Sequence, residues 1–389
     1  MKKLKWLVFA LACVLACQKP PVPEVYKDAD LTGEKVDVSS LAGLHARKIF
    51  MLNEGGMGAN NASLDFLRLE DGQYITGAFK KMNPQSGAGL GDVGNDILVI
   101  GDEVWMVINN SGIVEVVSAR DETEIAAIAV PTPRCIATDG QYAYVSSWAG
   151  AYASGSYDAN GNYSLADYQN PKGCVYRIGL KSKKLEGSIE VGYQPEGVAV
   201  NGGRLYVANS GGIASQLPPD YAYDNRVSII DTKSFQLERT VEVQVNLKSV
   251  FADPLGGVYV TSLGDYWSVH SGLYRLDAAG AVTHIADYVS VATLAGATLY
   301  WIGAEEEFDW EAPKTWKAFS CTGGVSPSAV PMDFSAATTP YSLFVDSGNL
   351  LLGDAGDYFN PGSLSLYHAG KKVWTVTAGV CPGHFAIWY

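Results

Sequence analysis

Five histidines stand in this 389-residue chain, His45, His270, His284, His368 and His384, and no two are spaced as a metal-ligand pair such as HExxH requires. No G-x-S-x-G elbow presents a serine nucleophile, and no P-loop offers a row of backbone N–H groups to a phosphate. The run Glu305-Glu306-Glu307 could supply a general acid, or it is a solvated loop. "DANGNYSLAD", Asp158 to Asp167, has oxygen ligands at alternate places as calcium loops do, yet departs from the EF-hand spacing. The candidate site therefore has no catalytic residues, no metal and no catalytic cofactor; its chemistry is recognition.

Recognition groups are plentiful. Asn, Asp, Tyr and Trp gather in segments 52–63, 109–112, 146–173, 208–225, 262–272, 303–316 and 353–362. Loops this long in a compact domain are functional or disordered. Their aromatic content argues against disorder. Aromatic side chains supply flat contact area, and amides and carboxylates supply hydrogen bonds. The candidate ligand-binding residues in these segments are Asn53, Glu54, Asn110, Trp148, Asn209, Asp265, Tyr266, Trp267, Phe308, Asp354 and Tyr358.

Such loops need a scaffold, and internal repetition supplies one. "PRCIATDGQYAYVSSW" from Pro133, "PEGVAVNGGRLYVANS" from Pro195 and "LKSVFADPLGGVYVTS" from Leu247 align as strand, Gly-centred turn and strand. Looser copies begin at Asn95, Val291 and Pro340, and most are followed by two further strands. Units of four short strands at this period predict β-propeller blades, and hence an all-β fold.

Six repeats are complete, beginning near residues 95, 133, 195, 247, 290 and 340. The remainder at the N-terminal end supplies three strands and lacks an innermost one. "GHFAIW" at the other end matches an innermost strand and lacks the rest. Joined, they make a seventh blade, with the last strand pairing on Lys48–Asn53 and burying Phe385 and Ile387. Closure of this kind leaves no open ring edge. The β-sandwich is the alternative.

The same register singles out one position near the start of each innermost strand. It is occupied by Asn95, Arg134, Glu196, Lys248, Ser290, Tyr341 and Gly383, with His384 following. Seven unlike side chains at one repeat position suit a ligand without sevenfold symmetry. The other reading is that Arg134, Glu196 and Lys248 neutralise one another at a channel mouth.

The N-terminus reads as an export signal. Lys2, Lys3 and Lys5 precede a short apolar run that ends in Val14-Leu15-Ala16-Cys17, before a polar, proline-rich stretch. This resembles a lipoprotein cleavage site with Cys17 as the acylated first residue; plain cleavage nearby and use of Cys13 are the alternatives. The expected organisation is a signal over 1–16, a lipidated tether over 17–44 and the propeller over 45–389. Losing residues 1–16 with their three lysines takes the formal charge from −13 to −16. Such acidity disfavours nucleic acid or an anionic surface as partner. Cys135, Cys174, Cys321 and Cys381 allow three disulfide pairings or serve as buried apolar groups.

"NEGGMGANNASLDFL" (53–67), "GDVGNDILVIGDEVWMVINNSGIVEVV" (91–117), "GYQPEGVAVNGGRLYVANSGG" (192–212), "DAGDYFNPGSLSLY" (354–367) and "GHFAI" (383–387) resemble the YncE-like seven-bladed propeller lipoproteins of the Bacteroidetes. Within that group the chain is similar to the BtuG-like surface proteins. The resemblance implies capture of vitamin B12 and related cobamides, and delivery to a BtuB-like TonB-dependent transporter. It also implies a lipid-anchored, outward-facing place on the outer membrane. A surface propeller binding a glycan or protein is the alternative, and a propeller lyase or lactonase the enzymatic one.

Overall fold

The computed structural model describes residues 31–87, 89–157, 159–160, 163–212, 222–304 and 315–389. Cys13, Cys17, the signal, the first part of the tether, Glu305–Glu307 and Phe308 lie outside these residues, as do the side chains that would decide the calcium reading of 158–167.

Seven antiparallel sheets form a ring of blades. Blade 1 orders Pro382–Trp388, Lys48–Asn53, Ser63–Arg68 and Gln73–Ile75 from the inside out. Blades 2 to 7 span 94–129, 133–190, 195–242, 247–287, 289–330 and 340–377, each in simple sequence order. A backbone hairpin, Tyr152–Tyr157 with Tyr163–Gln169, stands apart as its own two-stranded sheet between the second and third strands of blade 3.

Inner strands are apolar because both of their faces are covered by neighbouring blades. Lys48–Asn53 is buried at all six residues, whereas the outermost strand of blade 3, Lys184–Glu190, is exposed at all but one. Seven apolar clusters fill the seven gaps between blades. Each contact is local except the one that closes the ring.

Closure pairs Trp388 with Lys48, Ile387 with Ile49 and Phe385 with Met51. Alternation along this last strand serves two gaps at once. Ala386 and Trp388 enter the cluster shared with blade 2 and are buried. Phe385 and Ile387, expected to be buried, are half-buried on the blade 7 side, where the Phe385 and Phe344 ring centres are 6.1 Å apart. The deep anchor of closure is therefore Trp388, whose Nε1 donates to Asp102 at 3.0 Å.

A buried ion pair locks the same seam. Lys48 Nζ donates to Glu122 Oε1 at 2.6 Å and to the carbonyls of Arg120 and Ala119 at 2.5 and 3.2 Å. Burial raises the Glu122 carboxyl to about 7, against the pull of the ammonium.

The packed chain begins earlier than residue 45. Glu34–Lys35 adds a fifth strand to blade 1, and the 3-10 turn Ser39–Leu44 buries Leu41 and Leu44. Asn349 Nδ2 donates to Ser40 O, and Trp374 Nε1 to Asp37 O, so blade 7 holds the segment too. The boundary moves because two leucines in an otherwise small and polar stretch suffice to dock it. All four described cysteines are free thiols.

Candidate functional site

One local device, repeated seven times, builds the channel mouth. Every innermost strand carries a bulge within its first four residues: register breaks between its first pair with the second strand and the next. A bulge inserts a residue and re-aims side chains. Six of these strands are entered through a left-handed non-glycine residue: Val93, Thr132, Gln194, Asn246, Tyr288 or Cys381. The carbonyl of the residue before each innermost strand accepts the N–H of the residue that follows the facing second strand. Examples are Glu54 on Cys381 at 2.8 Å, Asn109 on Val93 at 2.8 Å and Trp148 on Thr132 at 3.2 Å.

The register position lies at the second residue of every innermost strand. Asn95 donates to the Arg134 carbonyl at 2.8 Å, tying blade 2 to blade 3. Arg134 Nε donates to both Glu196 oxygens at 3.2 and 3.0 Å, and its guanidinium lies 4.8 Å from the Trp148 ring centre. Trp148 Nε1 donates to the same carboxylate at 3.1 Å. Burial pulls the Arg134 guanidinium down, but the groups around it, Glu196 foremost and Glu54 with it, together leave it above its ordinary value. Arginine thus stays charged, held through Nε and stacked, with its terminal nitrogens unpartnered among the described residues. Lys248 is exposed and has no hydrogen-bond or ion-pair partner among them.

Across the channel, Glu54 Oε2 accepts from Tyr341 at 2.7 Å and Oε1 lies 3.2 Å from His384 Nε2. Burial pushes the Glu54 carboxyl up, yet the His384 contact, the tyrosine and the Lys248 charge leave it below its ordinary value. Gly383 leaves room for this: a Cβ there would meet Glu54 Cγ and Oε1 at 2.9 Å. Tyr358 meets Tyr341 edge-on, with ring centres 5.8 Å apart.

Two residues not singled out in the sequence belong to the mouth, Asp96 and Cys135. Each follows a register position, where simple alternation would turn it away; the bulge brings it in. Asp96 Oδ1 is 3.8 Å from His384 Nδ1, and Oδ2 accepts the Ile136 N–H at 2.9 Å. Burial raises Asp96, partly offset by His384. Burial, Asp96 and Glu196 push the Cys135 thiol well up, and burial with Glu54 brings Cys381 to about 11, so both sulfurs stay protonated. His384 thus lies between two carboxylates, with Nε2 in hydrogen-bond reach of Glu54 and Nδ1 facing Asp96. The other four histidines lie elsewhere: His284 on Asp287, His368 on Asn349, His270 against Tyr288, and His45 before blade 1.

Several sequence candidates turn out to hold the fold. Asn53 and Asn209 are fully buried: Asn53 Nδ2 donates to Ser63, and Asn209 Nδ2 to Arg226 O and Ser228. Asp354 accepts the N–H groups of Thr338, Thr339 and Gly356. Asn110 is bound to Asp92 at 2.6 Å. Asp265 accepts three backbone N–H groups of its own loop, which hold its carboxyl far below the usual range. That loop lifts Tyr266 and Trp267 into solvent, Trp267 at 88% exposure, while Phe359 (87%) and Met57 (81%) protrude from loops at the same end of blades 7 and 1.

The chain matches no protein-family model and none of the curated proteins. Among solved structures it is similar to hydrazine synthase of Kuenenia stuttgartiensis, with TM-score 0.57 and 16% identity over 75% of this chain and 89% of that one. It is also similar to a functionally unknown protein from Desulfotomaculum acetoxidans (TM-score 0.56, 12% identity, 88% and 99% coverage). A protein from Lactobacillus plantarum gives TM-score 0.53, 12% identity, and 88% and 100% coverage. At such identities the likeness shows the propeller fold alone.

Proposed function

We propose that this chain is a binding protein that captures a cobamide-like ligand at the channel mouth. Held by a lipid at Cys17 and facing outward from the outer membrane, it passes that ligand to a TonB-dependent transporter. The observation that carries the reading is the asymmetric ring. Arg134, Glu196, Lys248, Tyr341 and His384 occupy equivalent or adjacent positions on the blades, beneath a rim of exposed aromatics. An enzyme of unknown ancestry would call for convergent catalytic groups, and this mouth has one histidine, braced by carboxylates. A cobamide is a broad disc fringed with amides and carries a phosphodiester. Aromatic platforms suit its face, Asn95, Glu54 and Tyr341 its amides, and Arg134 with Lys248 its anionic group. Calorimetric titration with cyanocobalamin tests the reading, with Lys248→Met as the mouth variant.

The protruding Met57, Trp267 and Phe359 favour a second reading, a contact platform for a glycan or protein. Silence toward cyanocobalamin, together with glycan or protein capture that Trp267→Ala abolishes, would select it.

A further inference from the structure

A cleft of about 540 Å³ lies on the face opposite the mouth, between the docked N-terminal segment and the seam of blades 1 and 2. Its position follows from register: Lys48, Arg68 and Trp388 mark the strand ends remote from Asn53, Ser63 and Pro382. Val38, Leu41, Leu69 and Trp388 supply apolar wall, and Arg47 and Arg120 line the same space.

Both arginines are held by their backbones and free at their heads. Arg47 N donates to Trp388 O at 2.7 Å and its carbonyl accepts Leu69 N at 3.0 Å, while its guanidinium sits 5.2 Å from the Trp388 ring centre. The Arg120 carbonyl is gripped by buried Lys48. Neither guanidinium has a carboxylate partner among the described residues. Neighbouring Arg68 differs, being spent on Asp71 through two bonds of 3.0 and 2.8 Å. Glu70 is the one lining carboxylate among the described residues, so the cleft carries excess positive charge on a molecule of formal charge −13. A concave site of one sign concentrates ions of the other. Guanidinium forks match the tetrahedral oxygens of phosphate, and the wall beside them is apolar.

We propose that this cleft binds a phosphate ester with a small apolar body. The proposal is independent of what the mouth captures.

Titrating the full chain with phenyl phosphate by calorimetry tests it. Binding in the wild type, weakened roughly tenfold or more in Arg47→Gln or Arg120→Gln and lost in the double variant, supports the proposal. Arg120→Gln leaves the Trp388 stacking intact, so its effect stands if Arg47→Gln perturbs the fold. Arg204→Gln, which breaks an exposed pair with Glu238 on blade 4, is expected to bind as wild type. No heat in the wild type, or full binding by a folded double variant, overturns the proposal, as does benzoate binding as tightly as phenyl phosphate. Inorganic phosphate and phosphatidylglycerol vesicles separate the sources. Sedimentation with vesicles that the double variant loses assigns the cleft to a lipid headgroup; binding of the soluble ester without vesicle association assigns it to a free ester.

Discussion

His384 and Glu54 meet across the seam that closes the ring, Nε2 to Oε1 at 3.2 Å, though 330 residues separate them in the chain. The bond joins the last strand to the residue that follows the first blade's second strand. Ring closure and the candidate site are therefore one piece of structure, and damage to either reaches the other.

A chain ending at Gly383 is the bluntest test of that link. It removes His384 from the mouth and Trp388 from the cluster shared with blade 2, and bares Lys48–Asn53 as an open edge. The expected outcome is loss of the cooperative thermal transition in circular dichroism together with loss of capture. Retention of a native melt would mean that the last strand is dispensable to the ring.

Gly383→Ala separates the two roles. The added Cβ collides with the flexible Glu54 side chain, not with backbone. Glu54 must leave His384 and Tyr341, so capture should fall while the melting temperature changes little. A drop of many degrees with capture intact would place the strain elsewhere.

Trp267→Ala removes a side chain that is 88% exposed, so stability should stay within about 0.5 kcal/mol of wild type. If Trp267 is a contact anchor, affinity should fall by roughly tenfold or more. Tyr358→Ala differs: Tyr358 is exposed at 49% but packs edge-on against Tyr341, and its loss should lower both stability and capture.

The Lys48–Glu122 pair should make stability fall with rising pH. In the folded protein the Glu122 carboxyl binds its proton up to about 7, against an ordinary 4.5. Between those values the native state holds a proton that the unfolded chain has released. The contribution is thus complete below 4.5 and lost as pH climbs through about 7, a change of about 3 kcal/mol at most. Glu122→Gln should flatten that slope in denaturant titrations run across this range. Lys48→Met removes the ammonium that favours the charged carboxylate, so the pH at which this contribution is lost should move above that of the wild type in the same titrations.

Much of this was legible from the residues. The blade starts and the closing pair follow from the repeat, because an apolar strand, a Gly-centred turn and a second strand recur in nearly fixed register. The equivalent placement of Arg134, Glu196 and Lys248 on their strands is legible for the same reason. Asp96 and Cys135 were not, since strict alternation faces them away and only the bulge returns them to the channel. Asn53 and Asn209 misled because an asparagine that ties a turn and one that faces a ligand look alike in sequence. Leu41 and Leu44 were overlooked because a short small-residue stretch reads as tether until its two leucines find a groove.

Calorimetric titration of the purified protein with cyanocobalamin tests the central claim most directly. Saturable heat at micromolar ligand, weakened in Lys248→Met at unchanged melting temperature, is the expected result. No heat and no co-migration at that concentration, from a protein that melts cooperatively, would contradict it.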